Sequence, residues 1–98
     1  MNLEQCRKVI DAVDTEILAL LNRRADLSRK IGTLKAGAGL PIVDADREDE
    51  VLRRIARENA GQISDETAIR IYDEILCESR RIQFAVAAEL ASNGGARR

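Results

Sequence analysis

Arg24 and Lys35 stand eleven residues apart, three turns of an α-helix, so both project from one face with their backbones about 16 Å apart. Long cationic side chains close such a gap on a small anion. Ser79 and Gln83, four residues apart, put a hydroxyl and an amide on one side of a second helical stretch. The run Asp44-Ala45-Asp46-Arg47-Glu48 adds acidic and basic groups at what reads as a helix start. Guanidinium forks match carboxylates and an ammonium is a compact positive charge, so the set suits a cationic pocket that grips a small dicarboxylate. Taken singly, each has a plainer role. Arg24 could fix register or form an internal salt bridge, Ser79 and Gln83 could satisfy each other's polar surroundings, Arg47 and Glu48 could decorate a helix start, and Lys35 could favour a helix C-terminus.

Arg7 lies 17 residues before Arg24, about 25 Å along one continuous rod. It is out of reach of a ligand held between Arg24 and Lys35. If it serves that kind of site, it must serve the one on a partner chain.

The sequence contains no histidine, which removes the commonest general base, the imidazole metal ligand and the Ser-His pair. Cys6 and Cys77 lack metal-ligand spacing and read as small buried apolar residues. Any chemistry must then rest on charge and hydrogen bonds, with neither metal nor cofactor expected. Lysine and arginine total 16 against 17 acidic residues, so nucleic acid is not the obvious partner. No signal-peptide pattern follows Met1, and no run approaches the roughly 18 apolar residues of a membrane span. A cytoplasmic location is the default expectation.

Positioning these side chains requires helices, since β-branched residues never alternate with polar ones over a strand's length. Leu3, Cys6, Ile10, Val13, Ile17, Leu20, Arg24, Leu27, Ile31 and Leu34 recur at alternating spacings of three and four, a heptad seam broken in character only by Arg24. Such a first helix is about 48 Å long and overhangs any core its own chain can make. Pairing with a second copy would cover it; the alternative is a monomer whose helix breaks at Gly32, where glycine costs about 1 kcal/mol relative to alanine. Small residues from Gly37 to Pro41 mark a loop. A second helix starts at Asp44 or Asp46, faces the core with Val51, Leu52 and Ile55, and ends at Gly61. The third is capped by Ser64, carries a stripe of Ala68, Tyr72, Ile75, Ser79, Ile82 and Val86, and runs to about Leu90. One domain over residues 1–92 is expected, with 93–98 a flexible tail. Asp14, Arg23, Asp26, Arg29 and Lys30 read as solvated or structural charges.

Arg7, Arg24, Lys35, the run from Asp44 to Glu48, Ser79 and Gln83 together resemble the helical, bacterial-type chorismate mutases, in register over roughly residues 3 to 90. That resemblance implies an all-α, three-helix chain with a long first helix, in an intertwined homodimer with two equivalent sites. It also implies the rearrangement of chorismate to prephenate on the way to phenylalanine and tyrosine, a unimolecular shift of electrons that needs no cofactor. By the same resemblance, Arg7 of the partner subunit, Arg24 and Arg47 bind the carboxylates and select the reactive conformer, with Ser79 adding a hydrogen bond. Lys35 and Gln83 fall at the ether oxygen whose bond breaks, and Glu48, helped by Asp44, accepts from the ring hydroxyl. Two other readings stay open: an isochorismate pyruvate lyase on a similar scaffold, which the acidic run disfavours, and a non-catalytic helical dimerisation or regulatory module.

Overall fold

The computed structural model describes residues 1–96, which form three helices in the order α1 (Leu3–Ala38), α2 (Ala45–Glu58) and α3 (Asp65–Ala96). Strands are absent among the described residues. Asn2 starts α1 with a capping box: its side chain accepts from the Gln5 backbone N–H at 2.8 Å, and the Gln5 side chain accepts from the Asn2 N–H at 2.9 Å. The helix then runs unbroken through Gly32 for 36 residues. It outlasts the expected loop start at Gly37 by two residues and stops at Gly39, which takes the left-handed conformation (φ 66°) that glycine adopts without a Cβ penalty.

Asp44 is the cap of α2, accepting from the Arg47 backbone N–H at 3.0 Å. The end of α2 falls at Glu58 with Asn59 as its cap, two residues before Gly61. Asn59 explains the earlier stop, because its amide donates to the Ile63 carbonyl and to Asp65, both at 2.7 Å, and so turns the chain into α3. Ser64 caps α3 through its hydroxyl and the Thr67 N–H at 3.2 Å. The third helix does not end at Leu90 but continues to Ala96, so residues 93–96 are helical; 97–98 lie outside the described residues. Ala and Glu around position 90 are good helix formers and no proline intervenes.

α3 packs against both α1 and α2, and the molecule is long and flat at 64 × 28 × 14 Å. Its radius of gyration is 17.6 Å, well above the roughly 13 Å of a compact globule of this size. The buried apolar residues of the described chain are Val51, Leu76 and Val86, flanked by the half-buried Leu52, Ile55, Tyr72, Ile75 and Ile82 of the expected faces. Apart from Arg24, the heptad seam of α1 is not what α3 covers. Every residue from Met1 to Arg23 is exposed, and Leu27, Ile31 and Leu34 are exposed as well; the face against α3 is made by Arg24, Ala25, Ser28, Gly32 and Lys35. Both cysteines are exposed, contrary to the reading of them as buried: Cys6 sits on the part of α1 that no other helix of the chain reaches, and Cys77 points away from the packed face of α3. Among the described residues, no helix is long and apolar enough to cross a membrane.

Candidate active site

Small residues let α1 and α3 approach closely beside a charged stretch. A Cβ built on Gly32 would lie 2.5 Å from the Val86 Cγ1 and 3.0 Å from the Gln83 Cα, so glycine is required for this spacing. Four residues earlier the buried Ser28 hydroxyl meets the Ser79 hydroxyl at 2.7 Å. Beside that contact the start of α2 closes a third side. The resulting cavity, about 300 Å³, is at the small end of the range for small-molecule sites.

Arg24 and Lys35 of α1, Asp44, Arg47 and Glu48 at the start of α2, and Ser79 and Gln83 of α3 all line this cavity. Seven of the eight singled-out polar residues therefore meet in one place. Arg7, the eighth, does not line it and is exposed on the overhanging part of α1, as the distance along the rod requires.

A continuous hydrogen-bonded chain crosses the cavity. The Lys35 ammonium donates to the Gln83 Oε1 at 2.9 Å and to the Ile42 carbonyl at 2.7 Å; the Gln83 Nε2 donates to the Ser79 Oγ at 3.2 Å, which in turn meets Ser28. Gln83 is only 6% exposed, so its amide is fixed by these partners. An amide nitrogen carries two hydrogens, and Ser79 takes one, which leaves the second for a ligand. Lys35 also ties down the loop that leads to Asp44, and so couples the end of α1 to the start of α2.

Arg24 is half-buried and has no acidic partner within 4 Å among the described residues. A partly desolvated guanidinium without a counter-ion is a ready anion receptor. Arg47 leans outward to Glu50 at 2.6 Å, an exposed i,i+3 pair that costs little to exchange for a ligand carboxylate. Asp44 spends its side chain on the cap of α2. Glu48 is paired with Arg80, the one ion pair among the described residues that spans two helices inside the cavity. The hydrogen bond that Arg80 donates to Glu48 raises the pKa of its guanidinium above the ordinary value, against the opposing effect of desolvation. Counting side chains, the lining holds four cations, Arg24, Lys35, Arg47 and Arg80, against two carboxylates, an imbalance that favours a small anion with more than one negative charge.

Sequence reasoning missed Arg80 and Ser28. Arg80 sits in an Arg-Arg doublet that looks like a solvated face, and its partner is 32 residues away, so no local spacing marks it. Ser28 follows Arg24 by one helical turn, a signal that was available but is shared by many surface serines.

The family described as chorismate mutase type II matches residues 6–84 of the chain. A bifunctional chorismate mutase/prephenate dehydratase of Aquifex aeolicus is 44% identical over 91 residues, which cover 87% of this chain and 25% of that protein; the chain thus spans about a quarter of that relative's length. The structure of a chorismate mutase from Thermus thermophilus is similar with a TM-score of 0.81 and 38% identity, covering 83% of this chain and 92% of that one. A chorismate mutase from Helicobacter pylori, solved in complex with prephenate, gives a TM-score of 0.80 and 32% identity over 89% of this chain and 94% of that one.

Proposed function

Because this chain belongs to the type II chorismate mutase family, we propose that it rearranges chorismate to prephenate in a site completed by a second copy of itself. The observation that carries the proposal is the cavity in which the cations of α1, α2 and α3 outnumber the carboxylates. Chorismate is a dianion with a ring hydroxyl and an enol ether. Its rearrangement breaks one C–O bond and forms one C–C bond within the same molecule, and no proton need be moved. The protein's tasks are to hold the compact conformer, in which the reacting carbons face each other, and to stabilise the negative charge that gathers on the ether oxygen.

In this reading Arg24 and Arg47 bind the substrate carboxylates together with Arg7 of the partner subunit, and Ser79 contributes a hydrogen bond. Lys35 and the free amide hydrogen of Gln83 address the ether oxygen from adjacent positions, which their 2.9 Å contact supports. Charge and a neutral donor then act on one oxygen, and both gain strength as its charge grows in the transition state. Glu48 accepts from the ring hydroxyl, with Asp44 holding the helix start that carries it. The homodimer is supported by the exposed apolar seam from Leu3 to Leu34 and by the absence of Arg7 from the cavity of its own chain. A catalytic domain over residues 1–92, a cytoplasmic location and independence of cofactors are parts of the same proposal.

Purified protein mixed with chorismate should remove the chorismate absorbance and give prephenate as the identified product. With isochorismate instead, release of pyruvate would favour the lyase, and no turnover of either substrate would favour a regulatory module.

A further inference from the structure

Arg80 reaches from α3 to the Glu48 Oε1 on α2 within the cavity, and the two side chains are 34% and 25% exposed. Among the described residues the other carboxylate oxygen of Glu48 accepts no hydrogen bond from a side chain. A donor that reaches this oxygen meets a carboxylate whose charge is already balanced by a guanidinium on its other oxygen. For a hydroxyl this is favourable, because an ionised acceptor still gives a short, strong hydrogen bond and a neutral donor feels little of the arginine's charge. For an ammonium the attraction to Glu48 is opposed by Arg80, and Arg24, Lys35 and Arg47 add like charge around the same cavity. A lone carboxylate in the same place would instead favour the cation.

Resting on the reading that Glu48 faces the ring hydroxyl, we propose that Arg80 determines specificity at that ring position, so that the site accepts a neutral hydroxyl and rejects an ammonium. Arg80 acts through Glu48 and takes no part in the bond changes. A purely structural Arg80, one that only held Glu48 in place, would affect both kinds of substrate alike.

The test compares kcat/KM for chorismate and for its analogue with an amine in place of the ring hydroxyl, near neutral pH, where an alkylamine is protonated. The proteins are the wild type, two neutral replacements, R80Q and R80M, and the charge-keeping R80K; the second neutral variant guards against a folding defect in the first. The wild type should prefer chorismate. Both neutral variants should shift the ratio towards the amine by about tenfold or more, the size expected for one charge a few ångströms away at a partly exposed site, while R80K keeps the wild-type preference. An unchanged ratio in the neutral variants overturns the role of Arg80, and so does loss of turnover on both substrates with helical circular dichroism intact. A wild-type protein that turns over neither substrate overturns the functional reading itself, and this inference with it.

Discussion

Gln83 is buried between Lys35 and Ser79, and its amide is a donor at every accessible pH. Replacing it with glutamate makes donation conditional on a proton, because a carboxylate would face the developing charge on the ether oxygen and repel it. Two effects then oppose each other. The Lys35 ammonium, 2.9 Å from the present oxygen, lowers the pKa of the new acid, whereas burial and a bound dianion raise it above the reference value near 4.3. With substrate in place the raising effects win, so Gln83→Glu should be active only below a raised pKa and lose activity as pH climbs through it. On the alkaline side the loss should be about a hundredfold or more, the usual cost of one transition-state donor. Profiles of kcat/KM against pH for wild type and variant check this, and parallel curves would show that Gln83 does not contact the breaking bond. The residue types at this point were legible from the Ser79 and Gln83 spacing. Their junction with Lys35 was implied only by the family resemblance and by no local spacing, because it joins positions 48 residues apart.

The meeting of α1 and α3 depends on Gly32. Read along the sequence it is a weak point where the helix could break; across the fold it is where the helices come closest. Gly32→Ala gains helix propensity of about 1 kcal/mol, but its Cβ enters the space of the Val86 Cγ1 and the Gln83 backbone. Val86 is β-branched and has little rotamer freedom in a helix, so α3 must shift, at a typical overpacking cost of about 1–3 kcal/mol. The variant should melt at a lower temperature and lose more activity than stability, since the shift displaces Gln83 from Lys35. Adding Val86→Ala should restore part of both, giving a double mutant less impaired than the sum of the single changes. Additive effects in thermal melts and turnover would show that the helices are not in contact through this pair.

At the scale of the molecule, the chain leaves most of the apolar seam of α1 uncovered: Leu3, Ile10, Val13, Ile17 and Leu20 are each about half exposed or more. Covering such a surface is worth roughly 25 cal/mol per Å², so dimerisation and helicity should be lost together on dilution, as followed by sedimentation and circular dichroism. A stable, fully helical, active monomer would contradict the proposal. Shared sites have a sharper consequence. Arg7→Ala and Arg24→Ala should each be nearly inactive, yet a mixed dimer puts both lesions in one pocket and none in the other. Free assortment of equal amounts should therefore restore about a quarter of the sites in a two-fold dimer. Activity assays on mixtures after subunit exchange decide it, and no recovery would place Arg7 outside the site.

By itself the sequence determined the local order of this protein. A cap for α2 at Asp44 or Asp46, the cap at Ser64, the core faces of α2 and α3, the length of α1 to within a few residues and the helical spacing of Arg24 and Lys35 all depend on residues a few positions apart, where periodicity and capping preferences act. Within the polar set, Arg24 and Ser79 were legible because they interrupt otherwise apolar stripes, and the remaining members were gathered by helical spacing and by the family resemblance. Periodicity identifies a helix face but not what lies against it. Only the tertiary structure decided that α3 covers the face of Ser28 and Gly32 and leaves the heptad seam open, that Asn59 ends α2 before Gly61, and that Arg80 reaches Glu48. These outcomes depend on how closely and at what angle two helices cross, and that is set by the sizes of side chains far apart in the chain, the missing Cβ of Gly32 above all.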